Sequence, residues 1–192
     1  MASSFTLNDS KAKSEPAAQS ICLKCGLCCN GVIFADVKLL PQDSRAQVRS
    51  LGLAATKTSS ANDKKPVWRF PQPCAAYSGC RCEIYDARPA YCRQFECLLL
   101  KKLNQGRVTR SEALRVIRSV LARARRVRRL LRLLGDEEES VALAIRFRRM
   151  SRNLSRGETG PIRAGLYGQL TVAFHNLRLV LDARFYPPPN QG

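Results

Sequence analysis

Residues 22–29 read Cys-Leu-Lys-Cys-Gly-Leu-Cys-Cys, two consecutive C-x₂-C steps closed by an adjacent cysteine. Thiolates are soft donors that favour zinc, copper(I) and iron–sulfur centres. The C-x₂-C step turns the backbone tightly enough for two sulfurs to converge on one ion. Cys22, Cys25 and Cys28 also match the start of a bacterial ferredoxin-type cluster run. Cys29 adds a fourth sulfur, but adjacent side chains diverge by about 100° on a helix and about 180° on a strand. Cys28 and Cys29 are therefore not expected to bind one small tetrahedral ion together. The geometry favours two sites or a multinuclear centre.

Working outward, a second group follows at Cys74, Cys80, Cys82, Cys92 and Cys97. On one unbroken helix, Cys92 and Cys97 would stand about 140° and about 7.5 Å apart, poor co-ligands of a single zinc. Either the helix starts after Cys92 or the two serve different metals. The first cluster alone cannot close two sites, so sulfurs of both clusters must come together. That convergence would staple residues 22–97, where only short elements are predicted.

All 9 cysteines lie between Cys22 and Cys97, and an odd count sits poorly with a purely paired disulfide framework. Residues 1–20 are polar and lack the apolar run of a secretory signal. No window approaches the roughly 20 apolar residues of a membrane span. The expected compartment is a reducing cytoplasm, where clustered cysteines mean metal or catalysis. The chain is strongly basic, with 33 Lys and Arg against 15 acids and a formal charge of +18.

The pattern of elements predicts a mainly α fold with a small irregular α+β cysteine-rich metal-binding module, followed by a C-terminal helical hairpin and a third helix. Residues 1–20 are expected to be a disordered tail, 21–106 the cysteine-cluster domain, 107–186 an arginine-rich helical region, and 187–192 a Pro-rich tail. Within the module, Gly31–Asp36 and Val67–Phe70 suit short strands, and residues 53–66 suit a polar loop. Pro41 to about Leu51 suits a helix, and Arg88-Pro89 suits the start of one reaching Gly106. Beyond Ser111, Ala113, Ile117, Val120, Ala124, Val127, Leu131 and Leu134 step by four and three, an unbroken a/d seam. Asp136–Glu139 suits the start of a second helix, where acids favour the positive end of the dipole. There Leu143, Phe147, Met150 and Leu154 share a face. Leu166, Leu170, Phe174, Leu177 and Leu181 do so in a third.

CLKCGLCC at 22–29, with CRCEIYDARPAYCRQFEC at 80–97, strongly resembles the CxxCxxCC or YkgJ-like cysteine cluster family, described as a zinc- or iron-chelating domain. The family pattern C-x-I-Y-x-x-R-P-x-x-C-R-x-F-x-C is met at every fixed position of residues 82–97. The resemblance implies metal ligands at Cys22, Cys25, Cys28, Cys29, Cys74, Cys82, Cys92 and Cys97, and a cofactor that is zinc or iron, the latter alone or in an iron–sulfur cluster. It leaves Cys80 as an extra. A related cluster in flagellin lysine N-methylases brings iron–sulfur chemistry within the family's reach. The Ala-Ala-Tyr-Ser segment after Cys74 departs from the family's usual apolar Pro/Leu stretch, and everything after Gly106 lies outside the motif. Tyr85, Arg88 and Arg93 are candidates for a supporting shell. Arg88 and Arg93 would offset thiolate charge or donate to sulfur, or else serve structure alone.

Arg115, Arg118, Arg123, Arg125, Arg126, Arg128, Arg129 and Arg132 all avoid the seam. Such a stripe attracts phosphate through counterion release, or an acidic protein, yet Arg also suits any solvated helix face. His175, the only histidine, reads as a solvated helix residue. No nucleotide-binding loop, nucleophile elbow or acid–base pair is visible. Three functions follow: a metal-chelating module whose site is structural or carries metal or electrons, an iron–sulfur component of an enzyme related to the lysine N-methylases, and a metal-stapled basic protein binding nucleic acid or an acidic partner.

Overall fold

The computed structural model describes residues 17–59, 65–79, 81–154 and 160–187. Cys80 and most of both expected tails lie outside the described residues. Among those described, the fold is mainly α with a small α+β part.

The helical half is built on α5, Arg110–Leu133, opened by a reciprocal cap. Glu112 N–H donates to Thr109 Oγ1 at 3.3 Å, and Thr109 N–H donates to Glu112 Oε2 at 2.8 Å, satisfying two amides that a helix start leaves unpaired. Every member of the predicted seam from Ala113 to Leu134 is buried. The seam packs chiefly on α7, Pro161–Arg184, through Leu170, Ala173, Leu177 and Leu181. Between them in sequence, α6 (Leu143–Leu154) adds Leu143 and Met150, and its Phe147 stacks on Phe174 at 4.0 Å between centroids.

The acids after Gly135 do not begin α6, as their charge suggests; residues 136–142 are non-helical. Asp136 turns inward instead, with its side chain 4% exposed, beside Arg146 at 1%. Arg146 Nε donates to Asp136 Oδ1 at 2.9 Å, Arg146 Nη2 to the Asp136 carbonyl at 2.8 Å, and Arg149 Nη2 to Oδ2 at 3.0 Å. A buried guanidinium needs a partner, and that demand outranks the helix dipole here.

In the module, α1 spans Ala17–Cys25 and so enters the stretch expected to be a tail; its Ile21 is buried in the helical core. The expected strand at Gly31–Asp36 forms only at its end, as β1 (Asp36–Lys38). Before it, Val32 N–H donates to Asn30 Oδ1 and Ile33 N–H to the Leu27 carbonyl, local bonds that compete with a ladder. Helix α2, Arg45–Ser50, starts later than Pro41 because Ser44 caps it, accepting from Gln47 N–H. β2 (Thr56–Thr58) occupies part of the expected loop. It pairs antiparallel with β3 (Val67–Pro71), which pairs antiparallel with β1, giving the order β1-β3-β2 with Val37 opposite Phe70. A short hairpin, β4 (Tyr77–Ser78) and β5 (Arg81–Cys82), follows. The helix expected from Pro89 to Gly106 is two helices, α3 (Ala90–Gln94) and α4 (Leu98–Asn104), broken by extended backbone at Phe95 and Cys97. Phe95 is held there by an edge contact with Phe34 at 4.8 Å.

Two apolar cores result. The smaller joins the sheet and α2 through Val37, Val48, Leu53, Phe70 and Ala76. The larger unites α1, α4, α5, α6 and α7, so it runs across the boundary expected near residue 106. Phe34 packs against both.

Arg146→Leu should destabilise the protein by about 3–5 kcal/mol, because it removes the buried cation of Asp136 and leaves the carboxylate only the partly exposed Arg149; denaturant titration measures this. The hydrogen bonds from Arg149 and Arg146, and Arg146's charge, outweigh burial and hold the Asp136 carboxyl below its usual range. The pair's contribution is therefore complete above about pH 4 and is lost as acid takes Asp136 through its lower folded value. Asp136→Asn should remove that acid dependence.

The stripe is not uniform either. Arg128 is half-buried, and its Nη2 donates to the Asn30 carbonyl at 2.8 Å, whereas Arg125 and Arg129 are exposed. Arg125→Glu with Arg129→Glu should leave the melt nearly unchanged, while Arg128→Ala should cost about 1–3 kcal/mol. Equal effects in thermal melts would contradict these placements.

Candidate metal centre

Gly26 ends α1 with φ +61°, a left-handed conformation, and its carbonyl accepts from both Cys29 and Asn30 N–H at 2.9 Å. This tight turn separates Cys28 from Cys29. Cys28 packs against the helical core together with Cys25 and Cys97. The Cys29 carbonyl accepts from Cys74 N–H at 2.8 Å, which sews the first cluster to the second.

The remaining sulfurs arrive from separate elements. Cys22 and Cys25 lie on α1, Cys82 on β5 opposite Tyr77, and Cys92 on α3. Cys74 and Cys92 pack against the sheet-side core. Cys97 caps α4, whose first residue, Leu98, donates to the Phe185 carbonyl at 3.0 Å. All eight cysteines expected as ligands line one cavity of about 110 Å³ between the two cores. One water-sized sphere needs roughly 10–15 Å³, so the space holds more than a single small ion. A donor set of thiols alone suits zinc and iron–sulfur chemistry rather than hard cations. The residues thus fit the group by chemistry. Among the described residues, however, no group of three or more Cys, His, Asp or Glu side chains already stands ready to hold an ion.

Burial raises most of the thiols. Cys22 is pushed up to about 11, with the Cys97 charge adding to burial, and Cys25 and Cys92 to about 12. Cys28, Cys74 and Cys97 are raised for the same first reason. In the Cys29–Cys82 pair the shared hydrogen bond raises Cys29 and lowers Cys82. Most of these groups are therefore neutral thiols near pH 7 without metal, and a metal must displace their protons to bind.

Arg88 lines the cavity and counters this trend, its charge favouring the thiolates of Cys22, Cys82 and Cys92. Its Nε donates to the Tyr85 carbonyl at 2.6 Å, and its guanidinium lies 3.6 Å from the Tyr85 ring centroid. Arg93 stays exposed, bonded to the Arg88 carbonyl and away from the cavity lining. His175 is exposed on α7. Sequence reasoning passed over Gln72, which is 2% exposed and lines the cavity, while its Oε1 has no partner. A glutamine between two prolines carries no periodic signal that would have exposed it.

This mainly α, cysteine-rich chain brings soft donors to one cavity, the donor type that a thiol-based metal chelator uses. A family model matches residues 21–113: CxxCxxCC, "Putative zinc- or iron-chelating domain". No curated protein and no solved structure matches the chain. Among the described residues, no helix is long and apolar enough to cross a membrane.

A Cβ built on Gly26 would lie 2.6 Å from Tyr77 Cε2 and 2.7 Å from its Cζ, whereas one on Gly79, also at positive φ, meets nothing within 4 Å. Gly79→Ala should cost about 1–2 kcal/mol from backbone strain alone. Gly26→Ala should cost clearly more, because it must also displace Tyr77 beside the cluster. Chemical denaturation of the two variants checks the ordering.

Proposed function

We propose that residues 21–113 hold zinc or iron through Cys22, Cys25, Cys28, Cys29, Cys74, Cys82, Cys92 and Cys97, and that the metal acts structurally, fastening the sheet-side core to the helical core. The observation that carries this reading is the convergence of all eight thiols on one cavity between the cores. Bound metal supplies electrostatic cross-linking of thiolates that lie far apart in sequence. The chain's residues do the rest: Gly26 sets the turn, the Cys29–Cys74 backbone bond aligns the clusters, and Arg88 offsets thiolate charge as part of the supporting shell, with Tyr85 beneath it. Arg93, on the outer side, holds Arg88's backbone.

A partner for the arginine stripe has less support. Arg128 is committed to Asn30, and Arg132 Nη1 is bonded to Glu139 Oε1 at 2.7 Å. Part of the stripe therefore serves the fold.

Metal analysis of the purified full chain tests the reading. Bound zinc or iron is expected, with visible charge-transfer colour marking iron–sulfur and a colourless protein marking zinc. Cys25→Ser or Cys92→Ser should lower bound metal and the melting temperature, and Cys80→Ser should do much less. Chelation should lower protection from hydrogen exchange in α5 as well as in residues 22–97, because Cys25, Cys28 and Cys97 share its core. A chain that binds neither metal, or melts identically with and without chelator, would sink the structural reading.

A further inference from the structure

The division of the thiols follows from two places where the chain sends neighbouring cysteines apart. One is the Gly26 turn, which leaves Cys28 on the helical core and ties Cys29 through its carbonyl to Cys74. The other is the break between α3 and α4. Phe95 and Cys97 are extended there, so Cys92 ends on the sheet-side core and Cys97 on the helical one. A continuous helix would have left both sulfurs on one rod; the edge contact of Phe34 with Phe95 fixes the break.

Resting on the chelation reading above, we propose that the eight thiols form two separate four-sulfur metal centres: Cys22, Cys25, Cys28 and Cys97 on the helical side, and Cys29, Cys74, Cys82 and Cys92 on the sheet side. Cys22 and Cys25 stand three residues apart on α1 and share its face. α4, which Cys97 caps, packs on that same helix. Cys25, Cys28 and Cys97 each pack against the larger core. In the second set, Cys74 is joined to Cys29 through the backbone at 2.8 Å, the Glu83 N–H bond to the Ala76 carbonyl at 2.9 Å holds neighbouring Cys82 beside the smaller core, and Cys74 and Cys92 each pack against that core.

Each set has the four soft donors that a tetrahedral zinc or one iron–sulfur cluster requires, and neither needs a sulfur from the other. Both open on the same cavity, so the centres are neighbours, each bound to a different core.

Anaerobic cobalt(II) titration of the metal-free full chain tests the division, because tetrathiolate cobalt gives intense visible bands. Saturation is expected at two ions per chain. Cys22→Ser should retain one ion, in the sheet-side set, and Cys74→Ser should retain one, in the helical set. X-ray absorption of the zinc-loaded wild-type chain guards against variants that fail to fold: four sulfurs per zinc and no short metal–metal vector are expected. Saturation at one ion, loss of both ions from each single variant, or a thiolate-bridged metal–metal vector would overturn the division while leaving chelation standing. No uptake at all by the wild-type chain would overturn the chelation reading and the division together.

Discussion

The carbonyls of Cys29, Asn30 and Gly31 each accept a hydrogen bond from a different part of the chain. Cys74 donates to Cys29 at 2.8 Å, Arg128 of α5 to Asn30 at 2.8 Å, and Leu143 of α6 to Gly31 at 2.9 Å. Three consecutive residues are thus tied at once to the second cysteine cluster and to two helices of the other half. Buried or half-buried carbonyls must find donors, and this turn finds them only if the whole fold is assembled around it. The position of the thiols depends on that clamp, since Cys28 and Cys29 are carried on it.

The far end of the chain reinforces the same place. Leu98, beside Cys97, donates to the Phe185 carbonyl, and the Tyr186 hydroxyl donates to the Ile33 carbonyl at 2.9 Å. α7 therefore braces the centre from the C-terminal side although it contributes no sulfur. This gives the helical half a physical role in the site. It supplies the apolar floor under Cys25, Cys28 and Cys97 and the donors that fix the turn, so thiol spacing and helix packing are coupled. The same coupling explains two arginines that look alike in sequence: Arg128 holds the turn and Arg146 neutralises Asp136, whereas Arg125 faces water.

The long helices were legible because their signals are local. Ala113 to Leu134 repeat with the period that one buried face demands, and Thr109 with Glu112 mark the start. The cysteine spacings were legible for a similar reason, since a C-x₂-C step and the pattern at 82–97 are chemical statements within a few residues. Short elements were read less well. Gly31–Asp36 looked like a strand by composition, yet Asn30's side chain and the Leu27 carbonyl claimed its amides. The acids at 136–139 looked like a helix start, yet Asp136 was needed inside.

The sequence by itself determined the soft donor set, the apolar seam and the strong positive charge, because these depend on residue type and spacing alone. It also determined that Cys28 with Cys29, and Cys92 with Cys97 on an unbroken helix, make poor co-ligands. Only the tertiary structure decided which thiols pack on which core. That assignment rests on contacts between residues far apart in sequence: Phe34 against Phe95, Cys74 on Cys29, and Arg128 on Asn30. No periodicity encodes such pairings, because each depends on where two cores bring distant backbone together and on which buried polar groups remain to be satisfied there.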